Sequence, residues 1–157
     1  DCFFNDDPIE LQRRLTKAMY AYVSIYDTQK GTDKESLYHA FLNGTLSATL
    51  DVEDQNFYAS NYKLGDGRAD IVFLLNGCIK DFVERPGKFN RKLVIIECKV
   101  ATNHDELEQK AKIAITQIKE KYLKGVDGKF PDAAVVAMYG IAFYKKECKV
   151  SFECVQN

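Results

Sequence analysis

No apolar stretch in these 157 residues is long enough to span a membrane. No signal-peptide pattern opens the chain, which begins on acidic residues at Asp1 rather than on Met, so a module cut from a larger intracellular protein is expected. Neither sign of charge is in excess. The 22 Lys and Arg against 23 Asp and Glu leave a formal net charge of −1, and any basic surface for a polyanion must therefore be local. The five cysteines (Cys2, Cys78, Cys98, Cys148, Cys154) are odd in number and contain no CxxC pair, which argues against a disulfide framework and a structural zinc site and fits a reducing compartment. Cys98 and Cys148 lie in or beside apolar strand patterns and read as small buried hydrophobes. Repeats and low-complexity segments are absent. Gly65-Asp66-Gly67 lacks the third glycine and the helix of a dinucleotide fingerprint. What is present is core: 46% hydrophobic and 12% aromatic residues, enough for a single domain over 1–157.

The apolar run Leu93-Val94-Ile95-Ile96 reads as a buried strand and closes on Glu97-Cys98-Lys99. Burying charge is costly unless it is paired or bound to metal, so an acid and a base at that position need a reason. Strand side chains alternate faces, which sets Glu97 and Lys99 on one face about 7 Å apart and Cys98 on the other. Upstream, Gly65-Asp66-Gly67-Arg68-Ala69-Asp70 is a glycine turn feeding the apolar run Ile71-Val72-Phe73-Leu74-Leu75. Turn chemistry accounts for Asp66. It accounts poorly for Asp70, which sits inside the strand pattern on the face of Val72 and Leu74. Two neighbouring strands, each with a carboxylate near one end, make an oxygen-rich site for a hard divalent cation.

Periodicity organises the rest. A helix is expected from about Pro8 to Tyr26, with Leu11, Leu15, Ala18, Met19, Tyr22 and Tyr26 inward and Asp6 or Asp7 as cap. A second helix starts after Thr32. Thr32-Asp33-Lys34-Glu35 has the form of a capping box. Glu35 also lies on the line of Tyr38, Leu42, Thr45 and Thr49, so capping and a place at the site are both open to it. His39, one turn on, reads as a packing or hydrogen-bonding residue. Strands are expected at about 56–63, 68–75 and 92–100, with a short one at 78–83. A helix follows over about 105–124, capped by Asn103, with Leu107, Ala111, Ala114, Ile115, Ile118 and Tyr122 inward. Gln117 and Lys121 share one edge of that stripe. A strand kinked at Gly140 and a last strand over about 149–155 complete the chain.

This series resembles the PD-(D/E)XK nuclease superfamily: Glu35 in a helix, Asp70 on one strand, Glu97-Cys98-Lys99 on the next, then Gln117 and Tyr122 in a helix. Gly67-Arg68-Ala69-Asp70 is similar to the branch beside bacterial AAA-ATPase-like proteins and to nuclease modules of endosymbiont cytoplasmic-incompatibility factors. Ala69 stands where the name-giving Pro would be. The resemblance implies an α/β fold with a restriction-endonuclease-like αβββαβ core, a mixed central sheet flanked by helices, over about 31–146, with residues 1–30 as an accessory helix. It implies metal-dependent hydrolysis of phosphodiester bonds, DNA favoured over RNA, as in an intracellular nuclease or toxin effector. Asp70, Glu97 and the Cys98 carbonyl would hold Mg²⁺ or Mn²⁺, which activates water and neutralises phosphoryl charge. Lys99 would stabilise developing negative charge. Gln117 would hold geometry or touch the nucleic-acid backbone, and Glu35 would act through water or a second metal. Tyr122 is a core aromatic or a donor to the site, and its stripe with Ile115 and Ile118 favours the core.

Local basic surface for nucleic acid is sought at Arg68 and Lys121, and in the Pro/Gly-broken segment carrying Arg85, Lys88, Arg91 and Lys92, read as a loop. Lys110, Lys112, Lys119 and Lys124 decorate the late helix; solvated surface is the alternative for all of these. A catalytically silent nuclease-fold module binding other domains of a larger toxin or ATPase is the second reading. A small-molecule metal hydrolase is the third, with no sequence feature in its support.

Overall fold

The computed structural model describes residues 2–24, 33–50 and 55–157. Five strands form one sheet in the order β1-β2-β3-β4-β5: β1 (Gln55–Leu64), β2 (Gly67–Asn76), β3 (Phe89–Val100), β4 (Ala133–Tyr144) and β5 (Glu147–Gln156). Only β3 and β4 run parallel; the other neighbours are antiparallel. A parallel pair needs a crossover, and the helical stretch between them supplies it. Helices α1 (Pro8–Tyr22) and α2 (Lys34–Thr49) cover one face. Helix α3 (Leu107–Gln117), its continuation to Gly125 and the short α4 (Val126–Lys129) cover the central part of the other. This is the α/β, mixed-sheet architecture expected of a restriction-endonuclease-like fold.

Helix ends follow local chemistry. The Asp7 carboxylate accepts from Glu10 N at 2.9 Å, and Pro8 occupies the first turn. Leu11, Leu15 and Met19 are buried as the period requires. Tyr22 is not: the helix stops there, Val23 turns extended and buries instead, and Tyr22 is 83% exposed. Tyr26 and Thr32 lie outside the described residues. Helix α2 is capped by Asp33, whose carboxylate takes Ser36 N at 3.2 Å and Ser36 Oγ at 2.6 Å. Tyr38, Leu42 and Leu46, each four residues on, form its buried stripe. Asn103 caps the short 3-10 turn His104–Glu106 that leads into α3.

Two expectations are corrected. Residues 78–83 form no strand, because the Asn90 side chain takes the bonds a neighbouring strand would make, accepting from Ile79 N and donating to Ile79 O. Strand β4 is continuous through Gly140, which pairs with Glu97 on one side and Ser151 on the other. Glycine is needed there for contact: a Cβ at Gly140 would lie 2.1 Å from Ala111 O. Its absence lets the α3 backbone press onto the sheet beside Glu97.

Candidate functional site

The β2–β3 ladder ends at Ile71–Ile96. One residue further on, the strands part, and the Cys98 amide on β3 takes a side chain in place of a strand partner: it donates to Asp70 Oδ2 at 2.7 Å. Asp70 is thus tied to the residue between Glu97 and Lys99. A strand residue points its N–H and C=O to the same edge, so the Cys98 carbonyl also faces the Asp70 side. The Cys98 thiol lies on the opposite face, 3% exposed, as its alternation requires. The expectation that Asp70 shares the face of Val72 and Leu74 is corrected. Ala69 packs in the same cluster as Val72 and Leu74, so the alternation breaks at Asp70 and its carboxylate turns into the gap between strands.

Glu97 is 4% exposed. Its Oε1 accepts from Lys99 Nζ at 3.2 Å and from Gln117 Nε2, and its Oε2 accepts from Tyr122 Oη at 3.0 Å. Burial, then the nearby Asp70 charge, push its carboxyl up to about 7. The Tyr122 hydroxyl also accepts from Gln117 Nε2 at 2.7 Å and reaches Arg68 O at 2.9 Å. A phenol has one proton, and both Arg68 O and an ionised Glu97 could only accept it.

The late helix reaches this point through a change of winding. Ile118–Tyr122 is a π-turn between α3 and the 3-10 turn Leu123–Gly125. In an unbroken α-helix, residues five apart lie about 140° apart around the axis. The wider turn brings Gln117 and Tyr122 round to the same carboxylate. The β1–β2 turn seals the arrangement. Asp66 N donates to Lys121 O at 2.8 Å, and a Cβ on Gly67 would lie 2.7 Å from the Tyr122 ring. Tyr122 is therefore both a core residue, 1% exposed, and a donor to Glu97. The hydrophobic stripe signals only the first role; Gln117 five residues before it is the available signal for the second.

Glu35 is exposed on the first turn of α2. With Asp33, Ser36, His39, Asn61 and Asp70 it lines an open cavity of about 230 Å³. His39 Nε2 lies 3.1 Å from the Asp70 carbonyl and so carries the proton it donates there. Glu35 thus meets Asp70 across this cavity, while Glu97, Lys99 and Gln117 gather on the α3 side.

The basic residues divide. Arg68 and Lys121 are exposed close to this site, with Arg68 Nη1 donating to Asn61 O at 3.0 Å. Arg85, Lys88, Arg91 and Lys92 are not brought there. They lie at the far end of β3, about 17 Å along the strand from Glu97 to Lys92. The segment is no open loop: Arg85 and Lys88 bridge each other across a tight turn, and β3 begins at Phe89. Arg85 donates to Ala134 O and Gln156 Oε1, and Arg91 pairs with Asp132. Lys92 is 2% exposed, its ammonium held by Phe3 O, Phe4 O and Asp6. On the late helix, Lys112, Lys119 and Lys124 pair with Glu108, Glu153 and Asp66.

Two carboxylates and a carbonyl are hard oxygen donors, the donor type that suits a divalent cation such as Mg²⁺ or Mn²⁺. Among the described residues, no group of three or more His, Cys, Asp or Glu side chains could hold a metal. None of their helices is long and apolar enough to cross a membrane.

A family model of the PD-(D/E)XK nuclease superfamily matches residues 33–153. The chain belongs to this superfamily, whose members are generally nucleases that use divalent metals. No curated protein and no solved structure matches it significantly.

Proposed function

We propose that this protein is a metal-dependent nuclease that hydrolyses phosphodiester bonds, with DNA as its substrate. Asp70, Glu97 and the Cys98 carbonyl hold Mg²⁺ or Mn²⁺. That ion, when bound, supplies positive charge against the phosphoryl oxygens and lowers the pKa of water. Lys99, hydrogen-bonded to Glu97 and with its side chain 25% exposed, presents an ammonium to the attacked phosphate and stabilises charge as it develops. Gln117 and Tyr122 fix the Glu97 carboxylate from behind. Glu35 faces the cavity beside Asp70 and contributes through water. Arg68 and Lys121 contact the nucleic-acid backbone at the rim.

The observation that carries this reading is the 2.7 Å bond from the Cys98 amide to Asp70, which joins the first acid to the Glu97-Cys98-Lys99 strand. The test is incubation with circular DNA, linear DNA and RNA, each with and without Mg²⁺ or Mn²⁺. Metal-dependent nicking of circular DNA is expected and would also establish endonuclease action. The engagement of Arg85, Arg91 and Lys92 with other groups of the same chain favours one alternative outcome. If no substrate is cut or bound with either metal, the chain is a silent nuclease-fold module that binds protein.

A further inference from the structure

The β1–β2 hairpin carries a defect at one rung. Its ladder runs from Phe57–Leu74 to Ser60–Ile71 and resumes from Tyr62–Ala69 to Leu64–Gly67 in the same register. The rung between, Asn61 opposite Asp70, is not formed. Asn61 has φ 51°, in the left-handed region. Both strands change faces there. Phe57 and Leu74 pack toward α3 before the break; Tyr62, Leu64 and Ala69, of opposite parity, do so after it. An uninterrupted strand would point Asp70 squarely at one face. The break swings its carboxylate into the seam, onto the Cys98 amide.

The carbonyls at the break are satisfied by side chains. Arg68 Nη1 donates to Asn61 O at 3.0 Å, and His39 Nε2 donates to Asp70 O at 3.1 Å. Asparagine is one of the few residues besides glycine that visits the left-handed region readily; a β-branched residue does not. A non-glycine residue held there marks a conformation that its surroundings enforce.

We infer that Asn61 and His39 are positioning residues: the left-handed Asn61 breaks the hairpin ladder, and His39 clamps the freed Asp70 backbone, so that the Asp70 carboxylate is aimed at β3 and at the ion. The inference deepens the nuclease reading and rests on it for the ion alone; the aiming of Asp70 stands without metal. It predicts that backbone conformation at residue 61, not its amide side chain, sets the geometry of the site.

The experiment uses the whole chain, ¹⁵N-labelled, and two readouts. The first, without metal, is the Cys98 amide, whose proton resonates downfield and exchanges slowly while it is bound to a carboxylate. The second is Mn²⁺ affinity by calorimetry. Asn61→Gly, which keeps the left-handed conformation, is expected to keep both. Asn61→Val is expected to move the Cys98 amide upfield and to weaken Mn²⁺ binding by about tenfold or more, as loss of a supporting partner does at metal sites. If Asn61→Val fails to fold, His39→Ala, on a partly exposed helix face, is expected to shift both readouts in the same direction. An Asn61→Val protein, or in its place a His39→Ala protein, with wild-type Cys98 amide and Mn²⁺ affinity overturns the inference. A wild-type chain that binds no Mn²⁺ while the Cys98 amide responds as stated overturns the metal reading and leaves the aiming of Asp70 intact.

Discussion

Strand β3 buries a charged residue at each end, and the two ends are used differently. Lys92 and Glu97 are 2% and 4% exposed. They sit on opposite faces. Around Lys92 every ammonium proton has an acceptor: two carbonyls, Phe3 O and Phe4 O, and the Asp6 carboxylate at 2.8 Å. The charge is matched and the N-terminal turn is fastened to the sheet. Glu97 has donors around it as well, yet it also faces Asp70, a second acid, and burial raises its carboxyl to about 7. Burial of charge alone therefore does not mark a site. The mark is buried charge left with like charge nearby, an imbalance that a cation can correct.

The largest effect that separates the two ends is on rate. Lys99→Ala should lower cleavage by about 10²–10³-fold, the cost of losing one electrostatic stabiliser of the transition state, with the melting temperature nearly unchanged. Lys99 lies past the apolar run and its loss opens no core cavity. Full activity in this variant would remove Lys99 from the mechanism. Loss of activity together with stability would make it the counterpart of Lys92 after all.

Next comes pH. The ordinary value for Glu97 is 4.5 and its folded value is about 7. Between these values the unfolded chain has released a proton that the folded chain still holds. Stability of the metal-free protein should therefore fall as pH rises from about 4.5 to about 7 and then level off, by at most about 3 kcal/mol from this group. Denaturant titrations at pH 5 and 7.5 measure it. Mg²⁺ or Mn²⁺ should stabilise more at pH 7.5 than at pH 5, and Glu97→Gln should flatten the metal-free profile. A slope that survives Glu97→Gln belongs to other groups.

The opposite pattern is expected at the other end of β3. Lys92→Met should cost about 2 kcal/mol of stability, because carbonyls and a carboxylate lose a buried donor. Cleavage per folded molecule, measured well below the melting temperature, should change little. A strong loss of DNA binding in a folded Lys92→Met protein would contradict the division of labour along the strand.

What the sequence displays, and what it hides, follows the same line. Contiguous chemistry is visible. Leu93–Ile96 closing on Glu97-Cys98-Lys99 identifies the strand, and Asp7 and Asn103 declare helix starts, because each depends on residues within a few positions. Three features depend on distant partners or on backbone winding and are not visible. Lys92 reads as surface because the carbonyls that bury it lie about ninety residues earlier in the chain. Tyr122 reads as core ahead of donor because its stripe is hydrophobic, and the π-turn that delivers its hydroxyl to Glu97 leaves no mark in periodicity. Asp70 reads as an alternating strand residue because the left-handed conformation of Asn61 is a backbone choice that this sequence permits without announcing.

The smallest effects should appear in nucleic-acid binding, and they locate the binding face. Removing one cation that neutralises a phosphate lowers the slope of log affinity against log salt by about one unit. Arg68 and Lys121 are exposed beside the β1–β2 turn that rests on Tyr122, and Lys121→Ala removes a cation there without disturbing the Lys121 carbonyl that holds Asp66. In a Lys99→Ala background, which keeps both carboxylates, DNA affinity should rise on addition of Ca²⁺ or Mg²⁺. Lys121→Ala should then lower the salt slope by about one. Arg91→Ala at the far end should not, since its guanidinium already serves Asp132. If Arg91→Ala carries the change in slope and Lys121→Ala does not, nucleic acid lies along the Lys92 end of the sheet. The two ends of β3 would then have to exchange the roles assigned to them.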